Sequence, residues 1–275
     1  MRDDTGRIAG VEPRCRTSRH DAAAQLEWLA MKLLALETST PFCSVAVDRD
    51  GEVFARHFEA GQRHAELALD AVDALLREAG IDVSLLDGVV YGEGPGSFTG
   101  LRIACGLVQG IALARSLPVV GICTLAALAE ESGAGRVIAC LDARMGEVYH
   151  AAYLRDGANW NMQSAPGVYR PELVPLLAGS DWLGIGSGFA AHEAALLARY
   201  SGQISACRPA LFPSAAAALR LARPVFERGE ARDAASAVPI YLRDKVAMKT
   251  DERAQKKRAP DTRRGAVQGD AHRKP

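Results

Sequence analysis

Apolar residues arrive along this chain in two rhythms. Unbroken runs at 32–36, 43–47, 88–91 and 119–122 read as buried strands, and 53–58 reads as a third strand of the opening meander. Asp50-Gly51 sits between the second and third runs as a tight hairpin turn. The period then changes. Leu67, Ala68, Ala71, Val72, Leu75, Leu76 and Ala79 recur at three- and four-residue intervals, which predicts a helix closed by Gly80. A second helix is predicted over 101–116, stopped by Pro118, and a third over 124–131.

The pattern then starts again. Residues 137–142 form an apolar run ending in an acid, followed by a polar turn, a strand over 147–154 and the turn Asp156-Gly157. Glu37 at the end of the first run has its counterpart in Asp142, 105 residues later. That offset is too long for a solenoid repeat and indicates a duplicated domain. Each half is predicted to hold a three-stranded meander, a helix, and parallel strands with helices between them, giving mixed sheets covered on both faces. In the second half, 182–185 reads as a strand, 191–200 as a helix and the alanine-rich 214–227 as another.

Composition changes this picture little: 48% hydrophobic and 24% charged over 275 residues is a globular balance that excludes a wholly disordered chain. No apolar run approaches the ~20 residues that span a bilayer. The net charge of zero hides an asymmetry, because residues 249–275 carry nine basic and four acidic groups on a stretch with almost no apolar residues. Residues 1–30 are polar and Arg-rich, with no signal-peptide core, and Met31 opens the first strand run. The expected organisation is a disordered leader or mis-assigned start at 1–30, lobes at 31–136 and 137–248, and a disordered basic tail at 249–275. Six cysteines include no C-x-x-C pair and read as free thiols in a reducing cytosol.

Three segments carry candidate chemistry. Glu37-Thr38-Ser39 ends the first strand, where hydroxyls and backbone N–H groups of Thr38 and Ser39 can hold phosphate oxygens or simply satisfy a local turn. Gly94-Pro95-Gly96-Ser97-Phe98-Thr99-Gly100 joins a strand to a helix; it matches neither Walker A nor G-x-G-x-x-G, and its glycines also suit close helix–sheet packing. In Asp142-Ala143-Arg144-Met145-Gly146-Glu147 the bulky Arg144 and Met145 fill space a phosphate would need, while Arg144 offers a charge. The chain has no H-x-x-x-H, H-E-x-x-H or G-x-S-x-G pattern. The cleft reading leaves an ATP-dependent small-molecule kinase as the alternative function. The basic tail reads as solvated, with contact to RNA phosphates as the other possibility.

The helix after the glycine loop is apolar over more than one face: Leu101, Ala104, Leu107, Val108, Ile111 and Ala112, with Gly106 and Gly110 four apart. One stripe suffices to cover a sheet, so the excess implies deep burial or a subunit contact that Leu67, Ala71 and Leu75 of the preceding helix could join.

Leu34-Ala35-Leu36-Glu37-Thr38-Ser39-Thr40, Gly94-Pro95-Gly96-Ser97-Phe98-Thr99-Gly100-Leu101-Arg102, Asp142-Ala143-Arg144-Met145-Gly146-Glu147-Val148-Tyr149 and Pro239-Ile240-Tyr241-Leu242-Arg243 together resemble the TsaB (YeaZ) family, in order and spacing, from Met31 to about Lys249. The resemblance implies an α/β fold of duplicated actin/Hsp70-like (ribonuclease-H-type) lobes. It also implies a non-catalytic role in making threonylcarbamoyladenosine beside the tRNA anticodon, in the cytoplasm. The implied partners are a TsaD homologue as heterodimer, a TsaE homologue as ATPase, and tRNA through the complex, with a homodimer when the chain is alone and no membrane. The chain itself is implied to need no cofactor, with ATP/ADP and Mg acting at the partner or complex. Family dimers pair through helices of the N-terminal lobe, which implies Leu67, Ala71, Leu75, Ala104, Leu107, Val108 and Ile111 as the interface. Where TsaD has its metal-binding H-x-x-x-H, this sequence reads Thr124-Leu125-Ala126-Ala127-Leu128. Glu37 stands where many members carry Asp.

Overall fold

The computed structural model describes residues 30–243; the leader and the basic tail lie outside the described residues apart from Ala30. The first half runs β1 (Lys32–Glu37), β2 (Phe42–Arg49), β3 (Glu52–Glu59), α1 (His64–Glu78), β4 (Gly88–Gly94), α2 (Phe98–Arg115), β5 (Val119–Cys123) and α3 (Thr124–Ser132). The second runs β6 (Arg136–Asp142), β7 (Val148–Asp156), β8 (Asn159–Tyr169), β9 (Trp182–Ile185), α4 (Ser187–Ala191), α5 (Glu193–Arg199), β10 (Ile204–Arg208) and α6 (Ala215–Glu227). The helix anticipated at 191–200 is two short helices meeting at His192, whose φ of −137° breaks the turn.

The duplication is explicit in the sheets. The first orders its strands β3-β2-β1-β4-β5 and the second β8-β7-β6-β9-β10, the same path read from the meander edge. In each, two antiparallel hairpins are followed by two parallel strands. β1 alternates its side chains between two cores: Leu34 and Leu36 face one, Leu33 and Ala35 the other. β6 does the same with Ile138 and Cys140 against Val137, Ala139 and Leu141. A strand covered on both faces has no polar side to show, which explains the continuous apolar runs. Each buried leucine, isoleucine or valine among them contributes roughly 1.5–3 kcal/mol relative to exposure.

Helices α1 and α2 cover one face of the first sheet. The other face is covered by α6, which follows the last strand of the second half: Ala215, Ala218, Leu219, Ala222 and Phe226 pack on Leu33, Ala35, Val90 and Val120. Conversely α3, which follows the last strand of the first half, lays Leu125, Leu128 and Ala129 on Val137, Ala139 and Leu141 of the second sheet. The halves thus exchange their last helices. Ser214 caps α6 by accepting the Ala217 N–H at 3.0 Å, and the Ala215 N–H donates to Ser44 Oγ of β2 at 2.9 Å. The small alanines let α6 lie close on the sheet.

After α6 the chain returns to the first sheet, where Arg232 and Val119 exchange both backbone hydrogen bonds and the Ile240 N–H donates to Glu93 O at 2.7 Å. Among the described residues Cys43, Cys105, Cys123, Cys140 and Cys207 are free thiols; Cys15 lies outside them. No described helix is long and apolar enough to cross a membrane.

Candidate functional site

Glu37 ends β1 with its side chain fully enclosed. Its carboxylate accepts the Ser39 N–H at 2.7 Å and, at 3.4 Å, the hydroxyl of Thr124, the first residue of α3. Burial pushes the carboxyl above the ordinary range, against the pull of the bonds from Ser39 and Thr124. A methyl group at Gly92 on the neighbouring β4 would overlap this carboxylate, so glycine there makes the room the acid occupies.

The glycine loop closes over the turn that follows. The Ser97 N–H donates to Ser39 O at 2.7 Å, and the Thr38 hydroxyl donates to Gly100 O at 2.7 Å. A Cβ on Gly96 would strike Ser39, and one on Gly100 would overlap the Thr38 carbonyl. Ser97 accepts the Gly100 N–H at 3.3 Å and so caps α2. His64, first residue of α1, ties the same turn down: its Nε2 donates to Thr40 O at 2.9 Å. Thr38, Ser39 and Thr40 are all buried as a result. The Thr38 hydroxyl is spent on the glycine loop and the Ser39 N–H on Glu37, while Ser39 Oγ is enclosed without a hydrogen-bond partner among the described residues. The glycines serve close packing, the second of the two readings of that loop.

The matching turn of the second half is open. Arg144, Met145 and Gly146 all take left-handed backbone conformations, φ +62°, +58° and +80°. The Arg144 N–H donates to Asp142 Oδ1 at 2.9 Å, and the Arg144 guanidinium lies 3.2 Å from Asp142 Oδ2. His192 Nε2 stands 3.8 Å from the same carboxylate. Met145 is 54% exposed. Among the described residues no three His, Cys, Asp or Glu side chains gather as a metal-holding group.

On the helical face the seven anticipated interface residues divide. Leu75, Ala104 and Val108 are fully buried in the first core, and Ala71 nearly so, so these four pack within the chain. Leu67, Leu107 and Ile111 pack on the edge of that core and keep part of their surface outside. Gly106 and Gly110 are exposed, and a Cβ at either meets nothing within 4 Å. Among the described residues no packing calls for these two glycines, each of which costs the helix about 1 kcal/mol relative to alanine. Leu113 on the same stripe is 65% exposed and Leu69 on α1 is 50% exposed.

Comparison with known proteins decides the family. Residues 58–250 match the model described as TsaD: tRNA N6-adenosine threonylcarbamoyltransferase. The chain is 39% identical over 229 residues to the tRNA threonylcarbamoyladenosine biosynthesis protein TsaB of Escherichia coli, covering 80% of this chain and 97% of that one. It is 32% identical to the protein of the same name from Haemophilus influenzae, covering 80% and 96%. The solved structure of YeaZ from Pseudomonas aeruginosa superposes with a TM-score of 0.72 at 39% identity, over 77% of this chain and all of that one. The chain belongs to the TsaB (YeaZ) family. The duplicated sheets described above are the actin-like lobes of a TsaB fold.

Within this TsaB chain the Thr124–Leu128 segment opens α3, and its first hydroxyl serves Glu37. Sequence reasoning missed Leu113 and Leu69, which lie off the buried apolar stripes of α2 and α1. It also missed Gly92, whose role as the space for Glu37 depends on a strand neighbour 55 residues away. Leu113 was within reach: Gly106, Gly110 and Leu113 share one helical face at i, i+4, i+7 spacing.

Proposed function

We propose that this chain serves tRNA threonylcarbamoyladenosine biosynthesis as a non-catalytic subunit that pairs with a TsaD homologue in the cytoplasm. Family membership supports the pathway, since the relatives from Escherichia coli and Haemophilus influenzae carry that name. The observation that carries the pairing is the outward stripe of α2. Gly106 and Gly110 leave open space between half-buried Leu107 and Ile111 on one side and exposed Leu113 along it. Such a surface admits a second helix at close approach. In this reading a TsaE homologue supplies the ATPase, tRNA is met through the complex, ATP/ADP and Mg act at the partner, and this chain requires no cofactor. When the partner is lacking, the same stripe supports a homodimer. The enclosed Thr38–Ser39 turn speaks against the kinase alternative, because a nucleotide phosphate would have to displace the glycine loop.

Co-purification with the TsaD homologue tests the pairing. The wild-type chain co-elutes as a stable heterodimer, and the Leu107→Glu, Ile111→Glu double variant loses association by at least a hundredfold while keeping its fold. Undiminished co-elution of that variant overturns the interface. Depletion of the chain in its source organism, followed by mass spectrometry of tRNA nucleosides, tests the pathway; full retention of the modification overturns it.

A further inference from the structure

The exchange of helices makes the α3–α6 contact a junction between the lobes. α6 belongs by packing to the first lobe, where Arg223 pairs with Asp48 and the Ala215 N–H donates to Ser44 Oγ. α3 lays Leu125, Leu128 and Ala129 on the second sheet, while Ala127 and the Thr124 hydroxyl at its start reach the first lobe. The two helices pack on each other, so any rotation of one lobe against the other has to slide α3 over α6.

A single enclosed carboxylate sits at that crossing. Glu130 of α3 is 7% exposed and takes donors from three elements. Its Oε1 accepts Arg220 Nε of α6 at 2.7 Å, and its Oε2 accepts Trp160 Nε1 of β8 at 2.9 Å and an Arg155 guanidinium N–H of β7 at 3.1 Å. The Arg155 guanidinium lies 5.0 Å over the Trp160 ring, and Tyr153 meets that ring edge-on. The next residue doubles the connection: Glu131 accepts from Ser214, the cap of α6, and stands 3.8 Å from the Arg220 guanidinium. A buried carboxylate with three directional donors has one good geometry and loses much of its satisfaction in any other.

We propose that Glu130 and Arg220 form an interlobe lock, which holds the two lobes in one fixed orientation so that the chain acts as a rigid body. Sliding α3 over α6 would pull Arg220 from Glu130 while Trp160 and Arg155 kept the carboxylate in the second lobe, leaving an enclosed charge short of a partner. This inference concerns motion within the chain and stands apart from the pairing reading above.

Spin labels carried on non-canonical residues at Val53 and Leu197, exposed on β3 and α5, report the interlobe distance in the full chain. The wild type gives one narrow distance distribution. Arg220→Met keeps a stem of similar reach, removes the bond across the crossing, and broadens the distribution at least twofold; Glu130→Gln does the same. Arg223→Met, which breaks a pair inside the first lobe, leaves the distribution narrow. A broad wild-type distribution, an Arg220→Met distribution as narrow as wild type, or equal broadening in Arg223→Met overturns the lock. Arg220 is half-exposed on a helix surface, so its variant tests the proposal even if Glu130→Gln fails to fold.

Discussion

The turns after β1 and β6 hold the same place in the two lobes, yet one is enclosed and the other is open. Residues 38–40 are pressed beneath the glycine loop, which bonds to Thr38 and Ser39 from above. The turn at 143–147 has no such cover: β9 runs through Gly186 straight into α4, and Arg144 and Met145 project into solvent. The difference lies in the segment after the fourth strand. In the first lobe it is three residues, Pro95 to Ser97, before a capped helix of 18 residues; in the second it is one glycine before a helix of five. Duplication thus preserved the path of the backbone while the loops divided two uses, internal packing and exposure.

The largest effect that can break this comparison is expected at Gly100. Alanine there would drive a methyl group into the Thr38 carbonyl, a backbone group that cannot swing aside. Gly100→Ala is expected to lose about 3 kcal/mol in denaturant unfolding. A near-neutral result would mean that the loop lifts easily and the first turn is only loosely closed.

The second lobe has its own sensitive point, read through pH. His150 of β7 is fully buried; its Nε2 donates to the Tyr200 oxygen at 2.7 Å, because the Tyr200 hydroxyl is already given to Pro175 O at 2.8 Å. Nδ1 is left enclosed without a partner among the described residues. Burial pulls the imidazole down to about 4 from 6.5. The unfolded chain therefore takes up this proton first. Stability contributed at neutral pH falls as pH drops through 6.5 and is lost by about pH 4, at a cost on the order of 3 kcal/mol. Unfolding midpoints between pH 7 and 4 check this, and a His150→Phe variant whose acid sensitivity equals the wild type would refute it.

The smallest effect sharpens the contrast at the open turn. Met145 is an unbranched but non-glycine residue held at φ +58°, a conformation that costs an L-residue about 1–2 kcal/mol. Met145→Gly is expected to raise stability by about 1 kcal/mol in thermal unfolding. A loss instead would show that the Met145 side chain contributes more to the fold than its exposure indicates.

Much of the fold was legible because strand and helix periods differ so clearly in the first half. The hairpin at Asp50-Gly51 appears as read, with φ +56° and +91°, and β3 extends one residue beyond the anticipated 53–58 at each end. β8 and β10 were not placed from sequence. β8 is a polar edge strand with two irregularities in its pairing, and β10 has five residues, so neither offers the alternation a half-buried strand shows. The site was less legible than the fold. The pattern on α2 marked an excess of apolar surface, but it did not separate Ala104 and Val108, which the sheet consumes, from Leu107 and Ile111, which it leaves half outside.

Chemistry carried by consecutive residues was decided by the sequence alone: the periods of strand and helix, the tight turns, the twofold pattern and the motifs that mark the family. All of these rest on backbone preference and on which side of an element is apolar, which are local properties. Only the tertiary structure decided which sheet each crossover helix covers, that a glycine 55 residues away makes room for Glu37, and that Glu130 meets Arg220, Arg155 and Trp160. Those outcomes depend on which surfaces meet, and an apolar face specifies that it must be covered without naming its cover.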